Sequence, residues 1–324
     1  MLEIGKSIFS VYSLTSIGLI YFVYKVFKRF KLNNLSKKYF QNKTVLITGA
    51  SGGLGKAIAE ELYPLGAQLI LCARNNVELS KVKSTLMQKS GKEPEILVLD
   101  VGSSYEMIKE KLDGVSKKFK TVDILVNNAG VSFRGESFTA PDEIYQKIMN
   151  INYFGAVRLT NYFVNKMIED NTLRSSMGQK RRQYSIVNIG SVQSYLGIPF
   201  RSVYCSSKHA LLAHSDALRG ELFNHKNIDI INVQPGYINT NVSLNALRSD
   251  GSKNDTNDDE HRLGFSPNYV AQVMIKSILN RDQEVLVAVF LHRIAIWLRF
   301  FFPNLAAWVL QKRAQRIHAK NFND

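Results

Sequence analysis

The chain has 324 residues, 45% hydrophobic and 21% charged, so it is long enough for one substantial core and has an ordinary globular composition. Its formal net charge of +15 is concentrated at the ends: residues 1–43 carry +7 and residues 291–324 carry +5, which leaves +3 for the middle. Both basic terminal segments are also rich in apolar residues. This combination indicates binding to a membrane surface and argues against nucleic-acid binding. Two cysteines, Cys72 and Cys205, make no disulfide framework.

Residues 7–24 form an uncharged apolar run. Eighteen helical residues extend about 27 Å, close to the thickness of a bilayer core. Seven lysines and arginines follow between positions 25 and 43, whereas only Lys6 precedes the run. The length of the run therefore predicts a transmembrane helix. The positive-inside rule places the domain that follows it in the cytosol. We interpret residues 1–41 as a membrane anchor and basic linker, because a signal peptide would have the opposite flanks; a buried core helix is the alternative.

The middle of the chain, residues 42–290, alternates short apolar runs with helical stretches. Seven runs predict strands buried on both faces: TVLIT, QLILC, EILVLD, DILVNN, YSIVNIG, IDIINV and EVLVAV. This alternation predicts an α/β domain, a doubly wound (Rossmann) parallel sheet of about seven strands with helices on both faces. Residues 174–183 predict a polar excursion, and residues 249–262 predict a mobile loop.

The first predicted strand leads directly into TGASGGLG, which ends at Gly55. The spaced glycines Gly49, Gly53 and Gly55, with Ser51 and Leu54 between them, precede a helical pattern. Glycines at such a turn let the backbone approach a pyrophosphate, and the helix N-terminus supplies N–H groups and a positive dipole end. The strand before and the helix after give the motif the context it needs, so we predict a dinucleotide site rather than a merely tight turn.

The second predicted strand ends at Arg74, nineteen residues after Gly55, and no acid follows until Glu78. NAD sites often have an acid here that binds the ribose hydroxyls, whereas an arginine accommodates the 2′-phosphate of NADP. A guanidinium pairs well with phosphate. We therefore predict NADP(H) as the cofactor, with a surface arginine as the alternative interpretation of Arg74.

Tyr204 and Lys208 are four residues apart in YCSSK, one turn from each other on the same face of a helix. Free tyrosine titrates near 10, too high for easy proton transfer at neutral pH. A cation one turn away would favour the phenolate and lower this pKa. The pair is therefore a candidate for proton transfer or an ordinary solvated pair. No cluster of histidine, cysteine and acidic residues has metal-ligand spacing, and we expect no metal.

The run from 290 to 310 is apolar and aromatic, but two arginines and Pro303 interrupt it, which argues against a membrane span. Trp297 and Trp308 near arginines are typical of a membrane interface. A helix packed on the domain or on a sister subunit is an equally good interpretation of residues 291–324.

Five motifs in this order resemble those of the classical short-chain dehydrogenases/reductases (SDR) over roughly residues 42–290. They are TGASGGLG at 48–55, NNAG at 127–130, Ser191, YCSSK at 204–208, and Pro235-Gly236. Four further stretches are similar to the membrane-anchored member 7B type of this family: VSFRGES, NINYFGAV, IPFRSVYCSSKHAL and PGYINTNVSLNAL. One departure is Gly190, where the family often has a second serine.

The resemblance implies roles for individual residues. Tyr204 would donate a proton to a carbonyl oxygen while the nicotinamide delivers hydride to the carbon, and Ser191 would hold the same oxygen. Lys208 would favour the phenolate and hold the nicotinamide ribose, and Asn152 would help a water connect this lysine to solvent. The other implied cofactor contacts are Asp100 near the adenine, Asn127 at the sheet centre, and Pro235, Ile238 and Thr240 near the carboxamide.

We therefore expect a membrane-anchored NADP(H)-dependent oxidoreductase that interconverts a carbonyl and a primary or secondary alcohol. The residues expected at the pocket, beyond the carboxyl ends of the strands, are mostly apolar: Phe133, Arg134, Val192, Gln193, Tyr195, Pro199, Phe200, Tyr237 and the segment after 241. This lining favours a lipophilic substrate: a steroid, a retinoid or a long-chain lipid ketone. If Arg134 or Arg201 faces the pocket, an anionic headgroup is favoured. The alternative is a membrane-tethered cofactor-binding scaffold with little turnover.

The partners expected are thus the small-molecule substrate and membrane lipid, and homodimerisation through the helices of Asn152 and Tyr204 stays open. We expect a single-pass protein of the endoplasmic reticulum, with the peroxisomal membrane as the alternative.

Overall fold

The computed structural model describes residues 35–89, 91–240, 242–254 and 264–322. The predicted membrane span at 7–24 lies outside these residues, as does much of the predicted loop at 249–262. Within the described ranges, no helix combines the length and the apolar character needed to cross a bilayer.

Nine strands are present in the described ranges, and seven of them correspond to the seven predicted runs. The strands are β1 (Thr44–Thr48), β2 (Gln68–Ala73), β3 (Glu95–Val98), β4 (Ile124–Asn127), β5 (Phe133–Arg134), β6 (Tyr184–Ile189), β7 (Ile228–Pro235), β8 (Leu247–Arg248) and β9 (Glu284–Val287). Seven form one parallel sheet in the order β3-β2-β1-β4-β6-β7-β9. The remaining two, β5 and β8, pair separately and were not predicted, because two residues carry no periodicity.

Nine complete α-helices connect or follow these strands within the same ranges, and residues 35–40 are also helical. The helices are α1 (Gly53–Leu62), α2 (Asn76–Met87), α3 (Tyr105–Phe119), α4 (Asp142–Met149), α5 (Gly155–Ser176), α6 (Ser202–Glu221), α7 (Pro267–Asn280), α8 (Phe290–Phe301) and α9 (Pro303–Phe322). The predicted polar excursion at 174–183 thus begins only after Ser176, where α5 ends.

Alternate residues of the sheet pack into two separate cores. Val45 and Ile47 of β1 lie in one core with residues of α1 and α7, whereas Leu46 lies in the other with residues of α3, α5 and α6. Successive strand residues point to opposite faces, so helices cover both faces of the sheet as predicted. The edge strands differ from the expectation of full burial: Val98 of β3 and Glu284 of β9 are exposed.

The sheet order reverses between β1 and β4, and this reversal positions the site. Ligands of open α/β sheets bind outside the carboxyl ends of the strands at such a switch point. The predicted glycines, NNAG, Ser191 and Pro235-Gly236 lie at the carboxyl ends of β1, β4, β6 and β7 or directly after them. The fold therefore gathers these motifs at one edge of the sheet.

Candidate active site

The turn between β1 and α1 forms a glycine cradle. Gly49 and Gly53 have φ of +66° and +53°, where a side chain would be strained. A Cβ at Gly55 would lie 2.2 Å from the Gly49 carbonyl oxygen, so this turn closes only with glycine there. Gly52 caps α1 in an extended conformation without a side-chain hydrogen bond. The first N–H groups of the helix are thus placed to bind a pyrophosphate.

The two other residues predicted in the cradle contribute differently. Ser51 is half-buried within the turn. The side chain of Leu54 packs in the hydrophobic core, so only its backbone can serve a ligand at this position.

Two polar residues tie the cradle to the loop after β4. The Thr48 hydroxyl accepts the N–H groups of Asn128 and Ala129 at 2.9 and 3.0 Å. Asn128 Nδ2 donates to the Thr48 carbonyl oxygen at 2.8 Å. Sequence reasoning did not single out Asn128, although NNAG contains it. This brace fixes the cradle relative to the sheet centre.

Arg74 and Asp100 lie together beyond β2 and β3. Arg74 Nη1 is 3.9 Å from Asp100 Oδ2, with the two side chains 62% and 44% exposed. Asp100 Oδ1 accepts the N–H of Gly102 at 2.9 Å, which holds the carboxylate in its turn. An exposed pair of this kind contributes at most about 1 kcal/mol, so the guanidinium can turn toward a phosphate at little cost.

Tyr204 and Lys208 face the same side of α6, as predicted. Lys208 Nζ lies 5.8 Å from the centroid of the Tyr204 ring and donates to the Ile189 carbonyl oxygen at 2.8 Å. Lys208 is 4% exposed, and this burial lowers the pKa of its ammonium from 10.5 to about 8. The pair is therefore not an ordinary solvated pair on a surface helix.

The pKa of Tyr204 differs from the expectation. Burial raises the pKa of the phenol above its usual 10.0. A hydrogen bond with Ser191 and the positive charges of Arg134 and Arg201 act in the lowering direction and offset this burial only in part. The groups that favour the phenolate thus include Arg201, three residues earlier in the chain, and Arg134, from a distant segment.

Ser191 follows β6 and caps a short 3-10 turn, Val192–Ser194. Its Oγ accepts the N–H of Gln193 at 3.1 Å. The hydroxyl hydrogen therefore stays available for another oxygen, and the Tyr204 phenol lies within hydrogen-bonding reach. Ser191 is placed to hold an oxygen atom that also meets Tyr204.

Asn152 lies in a single π-helical turn, Asn150–Phe154, between α4 and α5. Its Oδ1 accepts the Val131 N–H at 2.8 Å, and its Nδ2 donates to Ser207 Oγ at 2.9 Å. A Cβ on Gly130 would lie 3.2 Å from Asn152 Oδ1 and 3.7 Å from Lys208 Nζ. The amide and the ammonium thus border the same small space. Turns of this π type are frequent at functional sites.

Asn127 braces the centre of the sheet. Its Nδ2 donates to Asn188 Oδ1 at 2.8 Å and to Thr160 Oγ1 at 2.9 Å, which joins β4, β6 and α5. Because its amide nitrogen is bonded within the protein, Asn127 is placed to support the sheet, and direct contact with a ligand is the less favoured role.

The loop after β7 returns toward the cradle. Pro235 ends β7, and Ile238 forms a β-bridge with Phe265. A Cβ on Gly53 would lie 3.5 Å from Thr240 Cβ, so this threonine lies against the glycine turn. The structure thus brings the predicted glycines and Thr240 to one place.

Comparisons with known proteins agree with this arrangement. Residues 43–250 match the short chain dehydrogenase family. A dehydrogenase/reductase SDR family member 7B of Xenopus laevis is 37% identical over 297 residues, covering 89% of this chain and 87% of that protein. The corresponding mouse protein is 35% identical over 284 residues, covering 87% and 84%.

Among solved structures, a short-chain dehydrogenase/reductase of Burkholderia phymatum in complex with NAD has a TM-score of 0.70 at 22% identity. The match covers 82% of this chain and 95% of that one. At this identity the likeness shows the fold alone. Together, the family match and the relatives show that the chain belongs to the short-chain dehydrogenase/reductase family, where it is similar to the member 7B proteins.

Proposed function

We propose that this protein is an NADP(H)-dependent oxidoreductase that interconverts a carbonyl and an alcohol on a lipophilic substrate. The observation that carries the proposal is the meeting of the Tyr204 phenol, the Ser191 hydroxyl and the buried Lys208 ammonium at the sheet edge that holds the glycine cradle. Membership in a family of dehydrogenases and reductases supports the same reaction type.

Ser191 and Tyr204 act on the substrate oxygen. Because Ser191 Oγ accepts the Gln193 N–H, the hydroxyl hydrogen of Ser191 stays free to donate to the substrate oxygen, which gains negative charge during reduction. Tyr204 gives its proton to that oxygen, and in the reverse direction it takes a proton from the alcohol. The nicotinamide supplies or accepts the hydride when the cofactor is bound.

Lys208 supports this proton transfer electrostatically. A lysine with a pKa of about 8 keeps its ammonium form at pH 7. Its positive charge near the Tyr204 ring favours the phenolate left after proton transfer, as do Arg134 and Arg201. Asn152 and Lys208 border one space near Gly130, where a water could connect the ammonium to solvent.

Arg74 favours NADP(H) over NAD(H). Its exposed guanidinium lies beyond β2, where the 2′-phosphate would be placed, and the Asp100 pair is too exposed to hold it strongly. A metagenomic short-chain oxidoreductase with the same fold, 24% identical, was solved in complex with NADP. Replacement Arg74→Asp should raise the dissociation constant of NADPH far more than that of NADH. Equal changes would refute the preference.

Two guanidiniums also bear on the substrate. Arg134 and Arg201 act on the Tyr204 phenol, so the site has positive charge next to the reacting atoms. Among lipophilic carbonyl compounds, this charge favours one with an anionic group.

The C-terminal helices support contact with membrane lipid. Large side chains of α8, of α9 and of the residue between them are exposed: Phe290, Leu291, Trp297, Phe300, Phe301, Phe302, Leu305 and Trp308. The cations Arg299, Lys312 and Arg316 lie among or after them, and aromatic side chains beside cations suit an anionic lipid surface. With the predicted anchor at 7–24, we propose a single-pass membrane protein whose catalytic domain lies on the cytosolic side.

This aromatic surface adjoins the site. The His292 ring of α8 packs 5.6 Å from the ring of Tyr237, in the loop after β7. A shallow, open depression of about 380 Å³ is lined by residues of α9 and by Phe200, four residues before Tyr204. A substrate that arrives from the lipid side would thus reach the site along the C-terminal helices.

The two tryptophans of the chain, Trp297 and Trp308, both lie on this surface, so intrinsic fluorescence reports on it directly. Vesicles with anionic lipid should shift the emission of the full chain to shorter wavelength, and brominated acyl chains should quench it. Vesicles of neutral lipid should cause a smaller shift and less quenching. A spectrum that depends on protein concentration and not on lipid would instead indicate packing against a second copy.

The reaction itself is tested by NADPH oxidation with a panel of carbonyl lipids. Tyr204→Phe should abolish turnover while NADPH still binds, whereas Tyr269→Phe, on the exposed side of α7, should change nothing. A wild-type protein that binds NADPH and turns over no compound, just as Tyr204→Phe does, would favour the scaffold alternative.

A further inference from the structure

Gln234 is a buried polar residue that the roles above leave without an assignment. It is 1% exposed and lies near the end of β7, in a run that is otherwise mostly apolar. A buried amide requires hydrogen-bond partners, so its partners show what it does.

The Gln234 amide holds the main chain of Ser191. Its Oε1 accepts the Ser191 N–H at 2.7 Å and the Ser194 hydroxyl at 3.0 Å. Ser194 Oγ also accepts the same Ser191 N–H at 3.2 Å. These bonds fix the backbone from which the Ser191 hydroxyl projects toward Tyr204.

Gly190 provides the space for this amide. A Cβ at position 190 would lie 2.0 Å from Gln234 Oε1 and 2.7 Å from its Cδ. The strand cannot move aside easily, because the Gly190 N–H donates to the Val233 carbonyl oxygen at 2.8 Å. A side chain at position 190 would therefore push the amide away from the Ser191 N–H.

We propose that Gln234 is a positioning residue for the reaction at Ser191 and that Gly190 is its matched partner. The proposal rests on the proposed oxidoreductase function. Gln234 acts through the Ser191 main chain and not on the substrate: it sets where the hydroxyl hydrogen meets the substrate oxygen. A displaced hydroxyl loses part of its stabilisation of the transition state, while the cofactor cradle stays intact.

The test compares four full-length variants. Gln234→Met keeps the side-chain length but removes the acceptor oxygen of the amide. Gly190→Ala keeps the amide but displaces it from the Ser191 N–H. The third variant combines both replacements. The control is Gln183→Met, because Gln183 precedes β6 at the opposite end of the sheet, where its amide bonds to Asp229. Two readouts apply: amide hydrogen exchange of the peptide containing Ser191, and kcat for NADPH-dependent reduction of the ketone of isatin, a small aromatic keto-lactam.

Each single variant at Gln234 and Gly190 should speed exchange of that peptide and lower kcat, both by about tenfold, with the NADPH dissociation constant unchanged. The double variant should be no worse than either single, because both remove the same bond. The control should match the wild type.

The inference would be overturned if the kcat losses of the two single variants multiplied in the double variant. Unchanged hydrogen exchange at Ser191 in the single variants, or a parallel loss of NADPH binding, would overturn it as well. A wild type that reduces no carbonyl compound would count against the proposed function alone. In that case hydrogen exchange still decides whether Gln234 holds Ser191.

Discussion

Replacement of Lys208 by Met should change how the stability of the ligand-free protein depends on pH. The Lys208 side chain is 4% exposed, and burial lowers its pKa from 10.5 to about 8. Between these two values the unfolded chain holds a proton on Lys208 that the folded chain has released. The free energy of unfolding contributed by this group therefore rises as pH rises from about 8 to 10.5, and it is constant below pH 8. The shift of the Lys208 pKa from 10.5 to about 8 corresponds to about 3 kcal/mol in the free energy of unfolding.

Urea unfolding at pH 7.5 and at pH 10.5 measures this contribution. The two proteins compared, one with Lys208 and one with Lys208→Met, both carry Tyr204→Phe, which removes the one phenol that Lys208 itself affects. The remaining titrating groups then act alike with Lys208 or Met at position 208, so the stability of the protein with Lys208 relative to the variant should increase by about 3 kcal/mol at the higher pH. The hydrogen bond from Lys208 Nζ to the Ile189 carbonyl oxygen adds an offset to both values and does not produce this increase. Lys180→Met, at an exposed position, is the control. Equal differences between the two proteins at both pH values would refute the burial argument.

Two further replacements test the cradle and the base of the sheet. Gly55→Ala should weaken NADPH binding at least 100-fold in calorimetry, because its Cβ would lie 2.2 Å from a carbonyl oxygen. Gly114→Ala is the control, because a Cβ at this exposed position of α3 would meet no atom within 4 Å, and it should bind NADPH normally. Equal affinities of the two variants would contradict the cradle. Asp123→Asn should lower the free energy of unfolding by about 3 kcal/mol, because this buried carboxylate pairs with Lys43 and Arg182 at 3.2 Å each. A urea midpoint equal to that of the wild type would show that the two cations contribute nothing there.

The sheet could be predicted because parallel strands covered on both faces appear as continuous apolar runs. The glycine cradle and the Tyr204-Lys208 pair could be predicted because local spacing determines them: one turn of helix, or one tight turn after a strand. The two-residue strands β5 and β8 leave no such pattern, so they did not appear in the prediction.

Other parts of the site depend on contacts between distant segments. The pKa of Tyr204 is raised by burial and lowered in part by Arg134 from a distant segment, and no spacing along the chain reveals either effect. The signal for Gln234 was present, an amide within a predicted buried strand, and Gly190 was noted as a departure from the family. Their connection becomes visible only when β6 and β7 lie side by side.

Transfer of deuterium from NADPH labelled with two deuterium atoms at C4 tests the central claim most directly. The full-length protein, incubated with this cofactor and a pool of lipophilic carbonyl compounds, should yield an alcohol with deuterium on the carbinol carbon. Tyr204→Phe should bind the labelled cofactor and yield none. Bound cofactor with no labelled alcohol from the wild type, or equal labelling by Tyr204→Phe, would contradict the account.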